Sequence, residues 1–258
     1  MTTNLLLSEF RKVTTLKFWW ALGLAPLLVG LLSGAISLPL ISGIADEVGD
    51  DGVKAAVGAI GLLVALALVF VFSALFGAVN AGTEYRHSTL TTTFLTTRGR
   101  DSVVTAKLLV SALFGTLYCL AIELVSVPVL FLAGSGDVRL DGQMTAVLVV
   151  GLVASMLWAL IGAGLALLTA SSIASTVTIV VWYVMGEAIV RAILGGLHLS
   201  SVGQWLPGSV TVSAFVGIVD EHARTSEPGT ALSLLFLVLW AAAACGLGWW
   251  ATRTRDIT

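Results

Sequence analysis

The chain has 258 residues, of which 57% are hydrophobic and only 11% are charged, and its formal net charge is −2. A soluble globular domain carries about 25% charged residues, so this composition excludes an ordinary soluble domain and indicates a membrane protein. The small net charge gives no basic field of the kind that attracts nucleic acid, and no nucleic-acid partner is expected.

The first segment, from Asn4 to Lys17, is predicted to form an amphipathic helix in the inner membrane interface. On a helical projection Leu6, Phe10, Val13 and Lys17 fall near one face, whereas Ser8, Glu9, Arg11 and Lys12 fall on others. Phe10, Arg11 and Lys12 are assigned to this interfacial helix. An ordinary basic flank that only sets the topology is an equally good interpretation.

Six apolar runs are long enough to cross a bilayer, which requires about 20 apolar residues in a helix. They occupy residues 18–41, 55–81, 108–133, 144–170, 173–197 and 231–251. In lipid such runs have to be helical, because their backbone groups would otherwise stay unpaired. The fold class is therefore an all-α membrane protein, and residues 1–258 are predicted to form a single domain.

The orientation follows from the distribution of Lys and Arg, which favours the cytoplasmic side. With the N-terminus inside, nine basic residues lie on the inner side: Arg11, Lys12, Lys17, Arg86, Arg98, Arg100, Lys107, Arg253 and Arg255. The outer side carries three: Lys54, Arg139 and Arg224. Both termini are therefore predicted to be cytoplasmic, as is the long connection between spans two and three.

That connection contains the polar stretch EYRHSTLTTTFLTTRGR, residues 84–100. Thr83 is predicted to cap a short helix, and Glu84 suits the positive end of its dipole. Leu90 and Phe94 would share a face, and the chain would return to span three after Arg100. A solvated loop whose arginines only hold the topology remains the alternative.

A second short segment, residues 206–219, is apolar but too short to cross the membrane. It is predicted to be a re-entrant element between spans five and six on the outer side, with Leu206, Pro207 and Phe215 as its marker residues. A helix resting on the membrane surface would give nearly the same sequence.

Three ionisable residues lie inside the predicted spans: Glu123, Glu187 and Arg191. Such residues are costly in lipid and usually pair with each other or face a polar path. Glu187 and Arg191 are four apart and are predicted to pair directly, or Glu123 could take Arg191 instead. They would then line a path, form an outer gate or lock helices together. No spacing of His or Cys predicts a metal site.

The stretch after span two resembles the signature region of ABC-2 type transporter permeases. In that family this region reads Glu, aromatic, Arg or similar, any residue, then small-Thr, followed by a basic turn and a Lys at span three. The matching residues here are Glu84, Tyr85, Arg86, His87, Ser88 and Thr89, then Arg98, Arg100 and Lys107. Ser88 replaces a frequent glycine, which is a small-for-small change.

The resemblance implies six spans, an interfacial N-terminal helix and a cytoplasmic coupling helix that fits a groove on an ATPase subunit. The coupling residues carried over are Glu84, Tyr85, Arg86, His87, Ser88, Thr89, Leu90, Phe94, Arg98 and Arg100. The sequence lacks the phosphate-binding pattern G-x-x-x-x-G-K-[ST], so ATP and Mg²⁺ are expected on a separate ATPase chain. The permease itself would be non-catalytic and would bind no cofactor.

The expected assembly contains two ATPase subunits and a second permease subunit, identical or paralogous, in a bacterial plasma membrane. The apolar spans favour export of a hydrophobic or amphipathic substrate, such as a drug, an antibiotic or a lipid-like molecule, as in multidrug efflux. An ion-coupled secondary carrier or channel is the main alternative, with Glu123 as its site. A remote alternative is an intramembrane CAAX-type protease, which Glu187 and Arg191 faintly resemble.

Overall fold

The computed structural model describes residues 2–28, 31, 51–86, 99–133, 141–219 and 228–255, and every regular element among them is helical. In chain order the helices are α1 (Thr2–Thr15), α2 (Phe18–Leu28), α3 (Asp51–Arg86), α4 (Arg100–Ala133), α5 (Gly142–Thr169), α6 (Ser172–Val181), α7 (Glu187–Gly196), α8 (Ser200–Gly203), α9 (Pro207–Val219) and α10 (Thr230–Thr254). A π-helical turn, Trp182–Gly186, joins α6 to α7, and the three together form the fifth predicted span.

Five helical segments of the described chain are long and apolar enough to cross a membrane. They are Val64–Arg86, Arg100–Val129, Gly142–Thr169, Ser172–Gly196 and Thr230–Thr254. They confirm an all-helical membrane protein and match predicted spans two to six. Predicted span one is described only over Phe18–Leu28 and at residue 31, so the count of six stays a prediction.

The fourth and fifth spans, whose predicted bounds leave only residues 171 and 172 between them, are joined by a tight turn. Ala170 takes the left-handed conformation that commonly ends a helix, with φ 51°. Ser171 then caps α6, because its side chain accepts a hydrogen bond from the backbone N–H of Ala174. Two residues are thus enough to reverse the chain.

Small residues let α3 and α5 pack with their backbones almost in contact. A Cβ atom on Gly77 would lie 2.0 Å from the carbonyl oxygen of Ala159, and one on Gly162 would lie 1.9 Å from that of Ala74. The Ser73 hydroxyl is 2.7 Å from that of Ser155 in the same interface. Such close approach is typical of helix pairs in lipid, where packing and hydrogen bonds replace the hydrophobic effect.

Aromatic rings fasten the N-terminal helices to this bundle. Phe114 of α4 lies between Phe76 of α3 and Phe10 of α1, with ring centroids 4.8 Å and 5.7 Å away. The hydroxyl of Tyr118 in α4 donates to the carbonyl of Trp19 in α2. The first two helices are therefore packed on α3 and α4 by side chains that are mostly apolar.

The fifth span has a much more exposed surface than the others. Only 6% of an 18-residue apolar stretch of this span is buried, compared with 61% of the corresponding stretch of Val64–Arg86 in α3. Helix α9 lies between α5 and α10 instead: Trp158 of α5 donates to Thr211 at 3.1 Å, and the carbonyl of Ala214 accepts from Thr230 at 3.0 Å. One end of the bundle thus holds α9, and the other, where α3, α5 and α10 finish, is called the charged end below.

Candidate functional site at the charged end

Four charged side chains from three helices meet at the charged end. The Lys107 ammonium lies 2.9 Å from a carboxylate oxygen of Glu9 and 2.8 Å from one of Glu84. Lys12 lies 2.9 Å from the same oxygen of Glu84 and also contacts Glu9. We call these four residues the charge cluster; it joins α1 to the last turn of α3 and the second turn of α4.

The charge cluster is electrically neutral and mostly dry. The side chains of Glu9 and Lys107 are each 2% exposed, and that of Glu84 is 11% exposed. Removing ions from water is costly, and only mutual attraction with good hydrogen bonds offsets the cost. The second oxygen of Glu84, Oε2, is buried and has no hydrogen-bond partner among the described residues.

At the edge of the charge cluster, the attraction of Lys12 to the two carboxylates outweighs the cost of burying its charge. Partial burial alone would lower the pKa of its ammonium. Hydrogen bonds and attraction to Glu9 and Glu84 outweigh this, so the pKa of Lys12 is raised above its ordinary value of 10.5. The ammonium therefore stays charged throughout the neutral range.

A second set of contacts ties the neighbouring residues to the end of α10. The hydroxyl of Tyr85 is 2.9 Å from that of Thr252. Arg100 donates to the carbonyls of Arg253 and Arg255 at 3.2 Å and 3.1 Å. Those carbonyls end a helix and lack intrahelical donors, so the arginine caps α10 and complements the negative end of its dipole.

The connection between α3 and α4 is therefore held firmly at both ends. Glu84 and Tyr85 fasten its start to α1, α4 and α10, and Arg100 fastens its end to α10. Arg86 is exposed and makes no hydrogen bond or ion pair with another described residue. The other predicted coupling residues, His87, Ser88, Thr89, Leu90, Phe94 and Arg98, lie outside the described residues.

The prediction that Thr83 caps a new helix is wrong. Thr83, Glu84 and Arg86 belong to the final turns of α3, and the Thr83 hydroxyl donates back to the carbonyl of Val79. The helix extends beyond the apolar run because Lys12 and Lys107 neutralise the carboxylate that would otherwise end it. Likewise α4 begins at Arg100, well before the predicted start of span three.

The buried stripe of α1 also differs from the prediction. Val13 and Glu9 are 1% and 2% exposed, whereas Phe10 is 37% exposed despite its ring contact. The buried face thus includes Glu9, which was placed on a polar face, because Lys107 and Lys12 supply its counter-charges. Arg11 is exposed and lines a recess of about 520 Å³ together with Lys12 and Leu7.

The predicted ion pairs of Arg191 are not found among the described residues. Glu187 instead accepts hydrogen bonds from the first turn of α9. Glu123 is buried and accepts from the thiol of Cys119 at 3.3 Å. Arg191 is exposed, and none of the described ion pairs includes it.

The residues assigned to the outer segment do form a short helix. Pro207 occupies the first position of α9, where its missing N–H costs nothing. Leu206 and Phe215 are buried, at 9% and 6% exposure, and Phe215 stacks on Phe70 of α3 with centroids 6.0 Å apart. Whether α9 is re-entrant or lies at the surface stays a prediction.

Two contributions to these sites were not predicted from the sequence. Glu9 was expected on a polar face, and no role was predicted for Trp158, which donates to α9, or for Tyr183, which donates to α3. The half-buried Leu6 and the buried Glu9 and Val13 have helical spacing, and this stripe would have indicated the role of Glu9 if carboxylates had been allowed in it. In the part of the chain that the structure describes, no three His, Cys, Asp or Glu residues are grouped to hold a metal ion.

The chain is similar in sequence to a family of known proteins. No curated protein sequence matches the chain. The family model described as ABC-2 family transporter protein matches residues 5–187, which include most of α1, the charge cluster and the first residue of α7. The match covers well over half of the chain, so the protein belongs to the ABC-2 transporter family.

Proposed function

We propose that the chain is the permease subunit of an ATP-driven exporter, and that residues 84–100 receive the movement of a separate ATPase subunit. Membership of the family and the membrane helices establish a transporter membrane subunit. The observation that supports the finer proposal is the attachment of this connection at both ends. A push on it would reach α1, α3, α4 and α10 together through the charge cluster and Arg100.

The ATPase would meet exposed basic residues beside this connection. Arg86 and Arg11 are exposed at the charged end, and Lys12 is partly exposed. Acidic or polar groups on an ATPase surface would bind them without disturbing the buried charges. We therefore separate residues that hold the connection in place, such as Glu84, from residues available to a partner, such as Arg86.

Co-purification tests this division. The tagged permease is expressed with an ABC ATPase from its own genome, as wild type, Arg86→Ala, Glu84→Ala and the exposed control Lys17→Ala. We expect Arg86→Ala to lower ATPase retention without changing thermal stability, and Glu84→Ala to lower both. Lys17→Ala should match wild type. If no ATPase of the same genome is retained by the wild type in mild detergent, the proposal of an ATP-driven exporter fails.

The fifth span offers a surface for a second permease subunit. Val184 is 68% exposed and Ile189 is 51% exposed on a segment that the rest of the described chain barely covers. We propose that an identical or paralogous copy packs here. Cross-linking through Val184→Cys, with both native cysteines replaced, should give a dimer in membranes, and a chain that stays monomeric would refute this interface.

The transported substrate is proposed to be hydrophobic or amphipathic, of the drug, antibiotic or lipid-like class, and to leave the cytoplasm of a bacterial cell. The supporting observation is the scarcity of charged residues within the spans. Reconstituted vesicles with the ATPase would show ATP-dependent movement of a lipophilic dye. An ion-coupled carrier would instead move the dye under an ion gradient without ATP.

A further inference from the structure

Glu187 accepts a group of hydrogen bonds that membership of the ABC-2 family does not explain. Its carboxylate accepts hydrogen bonds from the backbone N–H groups of Gly208 and Ser209 and from the Ser209 hydroxyl, at 2.7 Å for the first and last. The first N–H groups of a helix have no partner within the helix and carry its positive dipole end. Helix α9 has no acidic residue in its own first turn, so the fifth span supplies the charge.

The sequence at the start of α9 is built for this carboxylate. Pro207 has no N–H, so Gly208 and Ser209 are the first donors of the helix. A Cβ atom at position 208 would lie 2.4 Å from Glu187 Oε2, which only glycine avoids. Ser209 adds a side-chain donor beside its backbone donor.

The carboxylate sits immediately after an irregular turn. Residues Trp182–Gly186 form a π-helical turn, in which the N–H of Glu187 donates to the carbonyl of Trp182 five residues back. Such turns mark places where a helix changes register. If this turn became α-helical, residues after it would rotate by roughly 100° relative to those before it, which is the angle of one residue. Glu187 would then leave the first turn of α9.

The neighbouring contacts hold the second residue of the π-helical turn in place. Tyr183 donates to the carbonyl of Ala67 in α3 at 2.6 Å and packs edge-on against Trp158 of α5. Trp158 in turn donates to Thr211 of α9. Helix α9 is thus held by α5, α10 and α3 as well as by Glu187, and the contacts of Glu187 are the ones that come from the residue immediately after the π-helical turn.

We propose that Glu187 is a positioning residue of the transport cycle: its bonds to Gly208 and Ser209 latch α9 shut, and a register change at Trp182–Gly186 releases it. This inference rests on the proposed transport function. The latch closes the end of the bundle that holds α9, and movement of the fifth span opens it. Exposure of the inner face of α9 is the event to be measured.

Cysteine labelling measures that exposure. Cys119 and Cys245 are replaced by alanine, and single cysteines are placed on α9 at Val210, which is fully buried, or at Val212, which is 61% exposed. The permease–ATPase complex is treated with N-ethylmaleimide, with and without Mg-ATP. In the otherwise wild-type chain the cysteine at 210 should react slowly without nucleotide and faster with it, whereas the cysteine at 212 should react quickly in both cases.

Glu187→Gln should raise nucleotide-free labelling at position 210 by about tenfold, because bonds to a charged acceptor are replaced by weaker ones. Nucleotide should then add little. Gly208→Ala should give the same result by displacing an intact carboxylate, and combining the two should add nothing further. Arg191→Gln, one turn beyond on an exposed position, is the matched control and should behave as wild type.

The latch is refuted if a folded Glu187→Gln chain labels at the wild-type rate, or if the effects of Glu187→Gln and Gly208→Ala multiply. Thermal stability is recorded for each variant, and Ser209→Ala, which removes one of three donors, provides a milder change if the others unfold. Ser209→Ala should give a smaller increase in nucleotide-free labelling at position 210, and no increase refutes the latch. Loss of the ATPase from the wild type would overturn the proposed function while the nucleotide-free comparison still tests the latch.

Discussion

Replacing Lys107 with methionine is the most direct test of the charge cluster. Methionine keeps most of the apolar stem of lysine, so the change removes the ammonium with little loss of volume. Glu9 and Glu84 would then share Lys12 alone, and the charge cluster would carry one uncompensated negative charge. Because the Lys107 side chain is only 2% exposed, water cannot easily replace it.

Removing one partner of a buried ion pair costs about 3–5 kcal/mol, mostly for the charge left behind. We expect Lys107→Met to lose stability in that range. Unfolding by SDS titration in mixed micelles, followed by tryptophan fluorescence, measures the free energy. Lys17→Met, on an exposed position of the N-terminal segment, is the matched control and should change it by less than about 0.5 kcal/mol.

The double variant Glu9→Gln/Lys107→Met decides whether charge balance is the cause. Its remaining pair, Lys12 with Glu84, is neutral and keeps the 2.9 Å contact. We expect it to be more stable than Lys107→Met by about 0.5–3 kcal/mol, the range of coupling energies between contacting residues. A double variant that is no more stable than the single one would show that Lys107 acts through packing, and the electrostatic account would be wrong.

Three further outcomes are expected. Gly77→Ala should prevent folding or lower the free energy of unfolding by more than about 3 kcal/mol, because its Cβ has no room against a carbonyl of α5. Gly246→Ala is the control and should be tolerated, because a Cβ there has nothing within 4 Å. Equal midpoints of SDS-induced unfolding for the two variants would contradict the close packing. Tyr85→Phe should cost about 1 kcal/mol and increase amide exchange at Thr252, and unchanged exchange would argue against the bond. The raised pKa of Lys12 means that its charged form stabilises the fold fully below pH 10.5 and ceases to do so as the pH rises through the folded-state pKa. The stability difference between wild type and Lys12→Met should therefore be constant at neutral pH and shrink in strong alkali, and a difference that grew there would reverse the sign.

The membrane fold could be predicted from the sequence because lipid imposes it. Span four was predicted at 144–170 and is found at Gly142–Thr169, and span five was predicted at 173–197 and is found at Ser172–Gly196. In these segments the apolar run and the helix have nearly the same length. Hydropathy alone therefore locates them.

The charged end could not be predicted in the same way, because its partners are distant in sequence. Glu84 pairs with Lys12, 72 residues earlier, and Lys107 pairs with Glu9, 98 residues earlier. From its neighbours in the sequence alone, Glu84 is expected to follow the end of an apolar helix and to belong to the first turn of a new short helix. With its counter-charges it becomes the buried last turn of the same helix, which no local pattern indicates.

The same reasoning explains the error at Glu187. A partner four residues away was favoured because that spacing brings side chains together on any helix. The first turn of α9 offers three donors, and in an apolar environment those donors need an acceptor as much as Glu187 needs a counter-charge. An ion pair between Glu187 and Arg191 would have given the carboxylate a counter-charge but would have left the donors of α9 without an acceptor.

The α3–α5 pair connects the two polar sites. Glu84 lies at one end of α3, and Ala67, whose carbonyl holds Tyr183, lies 17 residues earlier, roughly 26 Å along the helix. Trp158, which holds α9, belongs to α5, and Gly77 and Gly162 let α3 and α5 pack as one body. A push at the charged end should thus move the supports of the fifth span and α9 together, and the π-helical turn is the place where the fifth span can yield. If so, a mild separation of the pair, such as Ser73→Val at its serine contact, should leave ATPase retention intact and abolish nucleotide-dependent labelling at position 210; unaltered nucleotide dependence would show that the movement takes another route.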